Sequence, residues 1–255
     1  LEYFKKNKSI SDRRTLIKPL IEEEFDEIEE SIDEEPYIFV LSKNNWIQFI
    51  KGHENFKAIK YKDGDQEKFV KLVKNTDKLL LASNSGRIFT LSLSNIIINK
   101  GFGSPLRLFI DLPSEDSIEA INLFNKQQKM IVVSSEYKGF IIPNMESLLA
   151  YTKLGKNVLD VSPGEKLVVC KPVRQEDDSI AIIGENHKLL IFRISEMALQ
   201  NKGKGVILQK AKQGKLTDVQ TFIFSEGITC KRENSIKIFK DLELWLGKRA
   251  QSGRL

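Results

Sequence analysis

Apolar runs separated by short polar turns recur along the chain from residue 36 onward. The first copy reads YIFVLSKNNWIQFI, in which a polar turn at Ser42 to Asn45 joins two apolar runs. The same order returns in residues 79–93, 130–143 and 180–194 and, more loosely, in residues 222–239. Two short apolar runs joined by a polar turn are typical of a β-hairpin. The pattern therefore predicts five hairpins.

The hairpins recur at a nearly constant period. The second strands are 41, 52, 50 and 48 residues apart, measured at Ile47, Ile88, Phe140, Leu190 and Ile238. A period of this length with several strands per repeat indicates a radial array of small sheets, because one such sheet cannot bury both faces without its neighbours. Helical spacing is confined to short connectors such as residues 146–150 and 196–200. We therefore predict an all-β fold of about five small sheets arranged radially.

The last blade, residues 215–255, is predicted to be the weakest or an incomplete one. Its hairpin contains KRENSIK, which places charged residues where the other copies are apolar or neutral. Charges in the middle of a hairpin reduce the apolar surface that it can bury against a neighbour.

A basic turn that contains glycine follows each hairpin, and the second of these turns opens KGFGSPLRLFI (residues 100–110). Glycine indicates backbone at positive φ or in close approach to another segment. We expect the alternating run Leu106, Leu108, Ile110 and Leu112 to be a strand that carries the chain on to the next unit. The turns could be simple crossovers, but a crossover has no need of lysine five times. The predicted structural glycines are Gly52, Gly101, Gly103, Gly155, Gly203 and Gly205.

Charge divides the chain into two parts. Residues 1–35 hold six Lys/Arg and twelve Asp/Glu, a net charge of −6, whereas residues 36–255 hold 34 and 23, a net charge of +11. We predict a domain boundary between residues 35 and 36, with a short acidic helical or disordered linker before the β-rich domain. A surplus of positive charge favours an anionic partner such as nucleic acid.

Residues that could support catalysis are sparse. His53 and His187 lie in polar turns, Cys170 and Cys230 are far apart and lack His neighbours at metal-ligand spacing, and no phosphate-binding glycine loop is present. No apolar run approaches the roughly 20 residues that a membrane-spanning helix requires. We therefore expect an intracellular chain with reduced cysteines, no metal site and no catalytic residue of its own.

Several segments resemble the DNA-cleaving, A-type subunits of bacterial type IIA topoisomerases. SDRRTLI, an acidic stretch and PYIFVLSKNNWIQFIKGHE are similar to the junction between the cleavage core and the C-terminal domain of these proteins. NKGFGSPLRLFIDLPSED, NKGKGVILQ and LGKRAQSGRL resemble the topoisomerase IV branch of the family. The gyrase branch carries a Gln-Arg-Arg-Gly-Gly type box after its first hairpin, and the matching stretch here, KGHENFKAIKY, lacks it.

The resemblance implies a β-pinwheel, a propeller-like disc of about five four-stranded blades. These blades exchange strands with their neighbours and bind duplex DNA around a basic rim. It implies a non-catalytic DNA-binding and bending domain. This domain would help the holoenzyme to select DNA segments for ATP-dependent strand passage in decatenation and supercoil relaxation during chromosome segregation. This chain would hold no cofactor. Its partner would be the B-type subunit of topoisomerase IV in an A2B2 holoenzyme, which would use ATP and Mg²⁺. The catalytic tyrosine would lie in the cleavage core of the A-type subunit. The isolated domain would be monomeric, and the protein cytoplasmic and chromosome-associated, with the inner membrane surface as a further location.

The predicted DNA contacts are the basic residues of the glycine turns, with those of the hairpin turns as second choices. The first set is Lys51, Lys100, Arg107, Lys153, Lys156, Lys202, Lys204, Lys248 and Arg249, and the second set is Lys43, Arg87 and Lys188. Two alternatives stay open at this point, a gyrase-type DNA-wrapping domain and a propeller-like scaffold that binds an acidic protein without DNA.

Overall fold

The strands of the structure follow the predicted hairpins. The structure is a computed structural model that describes residues 33–96, 101–232 and 235–255. The predicted linker therefore lies outside the described residues except for Asp33, Glu34 and Glu35, and the boundary at residue 36 stays a prediction. Lys100 lies outside them as well.

The described residues form β-strands and short 3-10 helices, without an α-helix among them. The strands are β1 (Pro36–Ser42), β2 (Trp46–Lys51), β3 (Glu67–Lys74), β4 (Lys78–Ser83), β5 (Arg87–Ser92), β6 (Ser104–Pro105), β7 (Ile118–Leu123), β8 (Lys129–Ser134), β9 (Lys138–Ile142), β10 (Lys156–Asn157), β11 (Leu167–Val173), β12 (Ser179–Gly184), β13 (Leu189–Arg193), β14 (Val206–Ile207), β15 (Leu216–Phe222), β16 (Ile228–Arg232) and β17 (Ser235–Phe239). The 3-10 helices are Phe56–Ala58, Leu93–Asn95, Leu106–Leu108, Met145–Leu148, Ile194–Glu196 and Glu243–Trp245. None of these described helices is long and apolar enough to span a bilayer.

The described strands form five antiparallel sheets, and the first four share one order of first, second and third strands. The first three have four strands each, in the orders β3-β1-β2-β6, β10-β5-β4-β7 and β11-β8-β9-β14. The fourth has the order β13-β12-β15, and the fifth is the pair β16-β17. Each of the first four sheets starts from a hairpin, whose first strand pairs with a third strand that follows later in the chain. The predicted all-β pinwheel is confirmed, and the last blade is incomplete within the described residues.

Apolar clusters lie between successive sheets. Strand β4 shows the arrangement, because Leu79 and Leu81 pack toward the first sheet while Leu80 and Ala82 pack toward the third. Successive side chains of a strand point to opposite faces, so a strand between two neighbours is apolar along its whole length. The second hairpin segment is therefore a continuous apolar run rather than an alternating one.

Two predicted strands are placed differently. Residues 106–112 do not form a strand, because Leu106–Leu108 is a 3-10 helix. Leu106 and the following Ile110 are buried, whereas Leu108 is exposed. In the fifth hairpin, the first strand is β16 and not the segment that begins at Phe222. Phe222 ends β15 and pairs with Ser179 of the fourth sheet. Both errors have one cause, since apolar spacing over so few residues does not identify the partner that buries them.

Candidate nucleic-acid interface

The glycine turns complete the sheets that precede them. β6 follows the second hairpin but pairs with β2 of the first sheet, through Ile47 opposite Ser104. β10 likewise pairs with β5, and β14 pairs with β9. At the C-terminus, Arg254 forms an antiparallel bridge with Leu189 of β13. The expectation that each turn leads onward to the next unit is therefore wrong, because the strand after the turn returns to the previous hairpin.

Close approach explains the second glycine of the two turns that contain a Gly-X-Gly pair. A Cβ atom on Gly103 would lie 2.1 Å from the Ile47 carbonyl oxygen, and one on Gly205 would lie 2.7 Å from the Gly139 nitrogen. Both glycines also have positive φ, +84° and +75°. Only glycine meets both demands without displacing the strand beside it. Gly155 has positive φ as well and a similarly close neighbour, Phe89.

The first glycines of the turns have a different basis. Gly101 has φ +89° with no atom within 4 Å of an added Cβ, and at Gly203 (φ +145°) the nearest such atom is the side-chain oxygen of Gln200, at 3.3 Å. Gly52 has φ +88° and ends β2, where its amide donates to the Pro36 carbonyl at 2.8 Å. These three positions require an unusual backbone conformation, and at Gly52 an added Cβ would also lie 2.9 Å from the side-chain nitrogen of Asn55.

The glycine turns lie on the edge of each sheet that is remote from its third strand. Third strands of neighbouring sheets pack side by side, since β11 contacts both β7 and β15. The short exchanged strands β6, β10 and β14 are the last strands at the opposite edge. The glycine turns therefore lie at the sheet edges that face away from the packed third strands.

Successive turns also contact one another. The Asp111 amide donates to the Lys153 carbonyl at 2.9 Å, and the Asp160 amide donates to the Gly203 carbonyl at 2.9 Å. The Lys210 amide donates to the Gln251 carbonyl at 3.0 Å. Residues 101–111, 153–160, 202–210 and 248–254 thus form one continuous surface, which we call the turn edge.

Four of the predicted cations are exposed on the turn edge and unpaired among the described residues. Lys202, Lys204, Lys248 and Arg107 have exposed side chains that make no hydrogen bond or ion pair within the described part of the chain. A cation without a protein counter-charge is free to contact a phosphate.

Other predicted cations hold the turns in place. Lys153 Nζ donates to the Leu108 carbonyl at 2.8 Å, and Arg249 Nη1 donates to the Ile207 carbonyl at 2.7 Å. Lys156 Nζ donates to the Ser147 carbonyl. Arg87, a second-choice residue from a hairpin turn, donates to the Leu154 carbonyl at 2.7 Å and so lies beside the turn edge. The donors of these side chains are therefore engaged with backbone carbonyls.

Three of the predicted cations lie elsewhere. Lys51 is the last residue of β2 and forms an ion pair with Glu35. A hydrogen bond from Lys51, then one from Tyr37, lowers the pKa of Glu35. The hydrogen bond that Lys51 makes to Glu35 raises the pKa of Lys51. Lys43 Nζ donates to Gln66 Oε1 at 2.9 Å in the first hairpin turn. Lys188 lies in the fourth hairpin turn, beside Lys210 and Lys212.

Sequence reasoning missed three cations near the end of the turn edge, Lys210, Lys212 and Arg254. Lys210 and Lys212 are exposed and follow the exchanged strand β14, while Arg254 pairs with β13. The sequence does indicate the two lysines, because KAKQGK directly continues the basic turn KGKGVILQ.

The histidines and cysteines form no metal-binding cluster among the described residues. No group of three or more His, Cys, Asp or Glu is placed to hold a metal ion in the described ranges. Both cysteines are free, and burial raises the pKa of the Cys170 thiol to about 12. His53 Nε2 lies 3.1 Å from the Val73 carbonyl, and His187 is exposed at φ +58° in a hairpin turn.

Comparisons with known proteins agree with this architecture. No protein-family model matches the chain. It is 37% identical over 251 residues to the A-type subunit of DNA topoisomerase 4 from Rickettsia bellii, covering 98% of this chain and 34% of the relative. It is 40% identical over 225 residues to the corresponding protein of Rickettsia conorii, covering 88% of this chain and 30% of the relative. The chain thus spans about a third of the length of these relatives.

Solved structures share the fold. The E. coli ParC C-terminal domain superposes with a TM-score of 0.75 at 22% identity, covering 87% of this chain and 94% of that one. A DNA gyrase A C-terminal domain gives a TM-score of 0.62 at 16% identity, covering 86% of this chain and 76% of that one. The sequence relatives favour the topoisomerase IV branch, as the missing gyrase box predicted. The shared sequence and the shared fold show that the chain belongs to the family of DNA topoisomerase 4 A-type subunits, as a β-pinwheel C-terminal domain.

Proposed function

We propose that this domain binds and bends duplex DNA along the turn edge. The observation that carries the proposal is the continuity of the turns, which places the unpaired cations Arg107, Lys202, Lys204 and Lys248 on one surface. Lysine and arginine contacts to phosphates release condensed counterions, and they do so without reading the bases. We therefore expect binding that is sensitive to salt and indifferent to sequence.

The geometry of the turns favours bending of the bound duplex. The cations are attached to successive sheets through exchanged strands, so their spacing is set by the packing of the sheets and not by flexible loops. A duplex whose phosphates contact several of these cations must follow the turn edge. Bending a site of 20–30 base pairs by 40–90° costs on the order of 1–6 kcal/mol, which additional phosphate contacts can offset.

The place of the domain in a larger enzyme is also part of the proposal. The relatives that match over about a third of their length are A-type subunits of DNA topoisomerase 4. We infer that the domain helps an A2B2 holoenzyme, formed with the B-type subunit, to capture and select DNA segments in the bacterial cytoplasm. Strand passage would use ATP and Mg²⁺ in that holoenzyme, for decatenation and supercoil relaxation during chromosome segregation. The isolated domain would be monomeric and would neither cleave nor relax DNA.

Binding across a salt series tests the proposal. The purified chain would be titrated with relaxed, positively supercoiled and negatively supercoiled circles in competition. We expect duplex binding whose log K falls linearly with log salt, and topoisomer bands that stay unchanged after incubation with ATP and Mg²⁺. Absence of duplex binding at low salt, together with retained binding of an acidic protein, would instead support the scaffold alternative.

A further inference from the structure

Two adjoining cavities lie beside the fourth sheet, between its hairpin turn and the C-terminal turn. The first, of about 490 Å³, has the indole of Trp245 and the side chains of Leu190 and Leu246 among its lining residues. The second, of about 520 Å³, is lined by Lys188, Asn186 and Gln213. Lys210, Lys212 and Ser252 line both. An apolar aromatic cavity thus adjoins a cationic one, with three lining residues in common.

The charge around the cavities is of one sign. Lys188, Lys210, Lys212 and Arg254 contribute to their walls, and no Asp or Glu of the described residues does. The ammonium groups of Lys188, Lys210 and Lys212 have no hydrogen-bond or ion-pair partner in the described part of the chain. Three like charges that line one cavity without a counter-charge attract an anion.

The walls are fixed by hydrogen bonds. Gln209, only 2% exposed, donates through Nε2 to the Ser252 carbonyl at 2.9 Å and to the Lys188 carbonyl at 3.3 Å. Arg254 Nη1 donates to the Leu244 carbonyl at 2.9 Å, next to Trp245. The aromatic side, the cationic side and the terminal turn are therefore held in register before any ligand arrives, which lowers the cost of binding.

We propose that these cavities form a nucleotide site, with an aromatic base against Trp245 and phosphate groups between Lys188, Lys210 and Lys212. Ligand sites of roughly 300–1,000 Å³ combine apolar walls with a few convergent polar groups, as here. Bases stack on aromatic side chains whatever their sequence. The nucleotide could be an unpaired unit of a DNA strand or a free nucleoside phosphate. An intact duplex keeps its bases in the stack and cannot supply one. Nucleotide binding here is therefore a different event from duplex binding, although Lys210, Ser252 and Arg254 also belong to the turn edge.

Tryptophan fluorescence tests the site. Trp46 and Trp245 are the two tryptophans, so Trp46→Phe makes Trp245 the sole reporter. The variant would be titrated with ADP, with a ten-residue oligothymidylate and with a covalently closed duplex circle. We expect a saturable change in Trp245 emission with the oligothymidylate or with ADP and none with the closed circle. A response to ADP identifies the free nucleotide as a ligand, and a response to the oligothymidylate alone identifies a strand. Unchanged emission with both would overturn the proposal.

Charge variants supply the second arm. Lys210→Ala with Lys212→Ala should weaken the responding ligand about tenfold or more, since charge-assisted contacts are the strong ones. The matched control, Lys126→Ala with Lys171→Ala, removes the same charge from lysines that are paired with Glu146 and Asp218 and should change nothing. Calorimetry on the chain with Trp46 intact repeats the titration if Trp46→Phe fails to fold. Equal affinities for the two double variants would refute the site, whatever duplex binding shows.

Discussion

Gly205 lies directly against Gly139 of the preceding sheet, so that a Cβ atom on Gly205 would fall 2.7 Å from the Gly139 nitrogen. This pair lets β14 approach β9, where Val206 lies opposite Gly139. The exchanged strand and the basic turn that carries Lys202 and Lys204 therefore depend on a contact that only glycine allows.

Gly205→Ala should destabilise the domain more than Gly101→Ala. Both positions have positive φ, for which a Cβ costs about 1–2 kcal/mol, but only Gly205 also has backbone atoms within 3.0 Å of the added carbon. We expect a loss of about 2 kcal/mol or more at Gly205 and about 1 kcal/mol at Gly101. Urea unfolding followed by circular dichroism measures both, and equal losses would contradict the close approach.

Glu165 should stabilise the domain near neutral pH and cease to do so in acid. Burial alone would raise the pKa of Glu165, but a hydrogen bond from Ser134, one from the Ser162 amide and the charge of Lys138 outweigh it and lower the pKa below its ordinary 4.5. A depressed folded-state pKa means stability that is present above the unfolded value and is lost as the pH falls through the folded value.

Glu165→Gln should therefore reduce the free energy of unfolding at pH 7 by about 1 kcal/mol and flatten its decline in acid. Glu226→Gln is the control, because Glu226 is exposed and its side chain has no partner among the described residues. Unfolding midpoints at pH 7, 5 and 3.5 make the comparison. An equal loss of stability between pH 7 and pH 3.5 in the parent chain and in Glu165→Gln would count against this role.

The two thiols should differ in reactivity. Cys170 is 2% exposed and burial raises its pKa to about 12, whereas Cys230 is exposed on β16. The thiolate is the reactive form, so a disulfide reagent at pH 8 should modify one thiol per native chain and two in denaturant. Cys230→Ser should abolish the native reaction. Rapid modification of two thiols without denaturant would show that the third sheet opens readily.

The sequence predicts the hairpins well and their partners poorly. Runs such as residues 79–82 are apolar because both faces of an inner strand are covered by neighbouring sheets. Pairing between a turn and the previous hairpin has no such signal. The two residues of β14 carry too little pattern to identify β9 as their partner.

The candidate site shows the same limit. Exposed lysines of the glycine turns were found from spacing and charge alone, and Lys202 and Lys204 are among them. The ion pair that engages Lys51 is made with Glu35, 16 residues away, and the bond from Arg87 to Leu154 crosses 67 residues. Such partners follow from the fold, so the local sequence cannot separate a free cation from one that holds the backbone.

The most direct test of the central claim is the salt dependence of duplex binding by the Lys202→Ala, Lys204→Ala double variant. Both lysines are exposed and unpaired among the described residues, so folding should be unaffected within about 0.5 kcal/mol. If the turn edge binds phosphates, the slope of log K against log salt should flatten by about 1–2 units, equally for unrelated sequences. The control Lys126→Ala, Lys171→Ala should keep the parent slope. An unchanged affinity and slope for the first variant would show that the turns are crossovers and not a DNA surface.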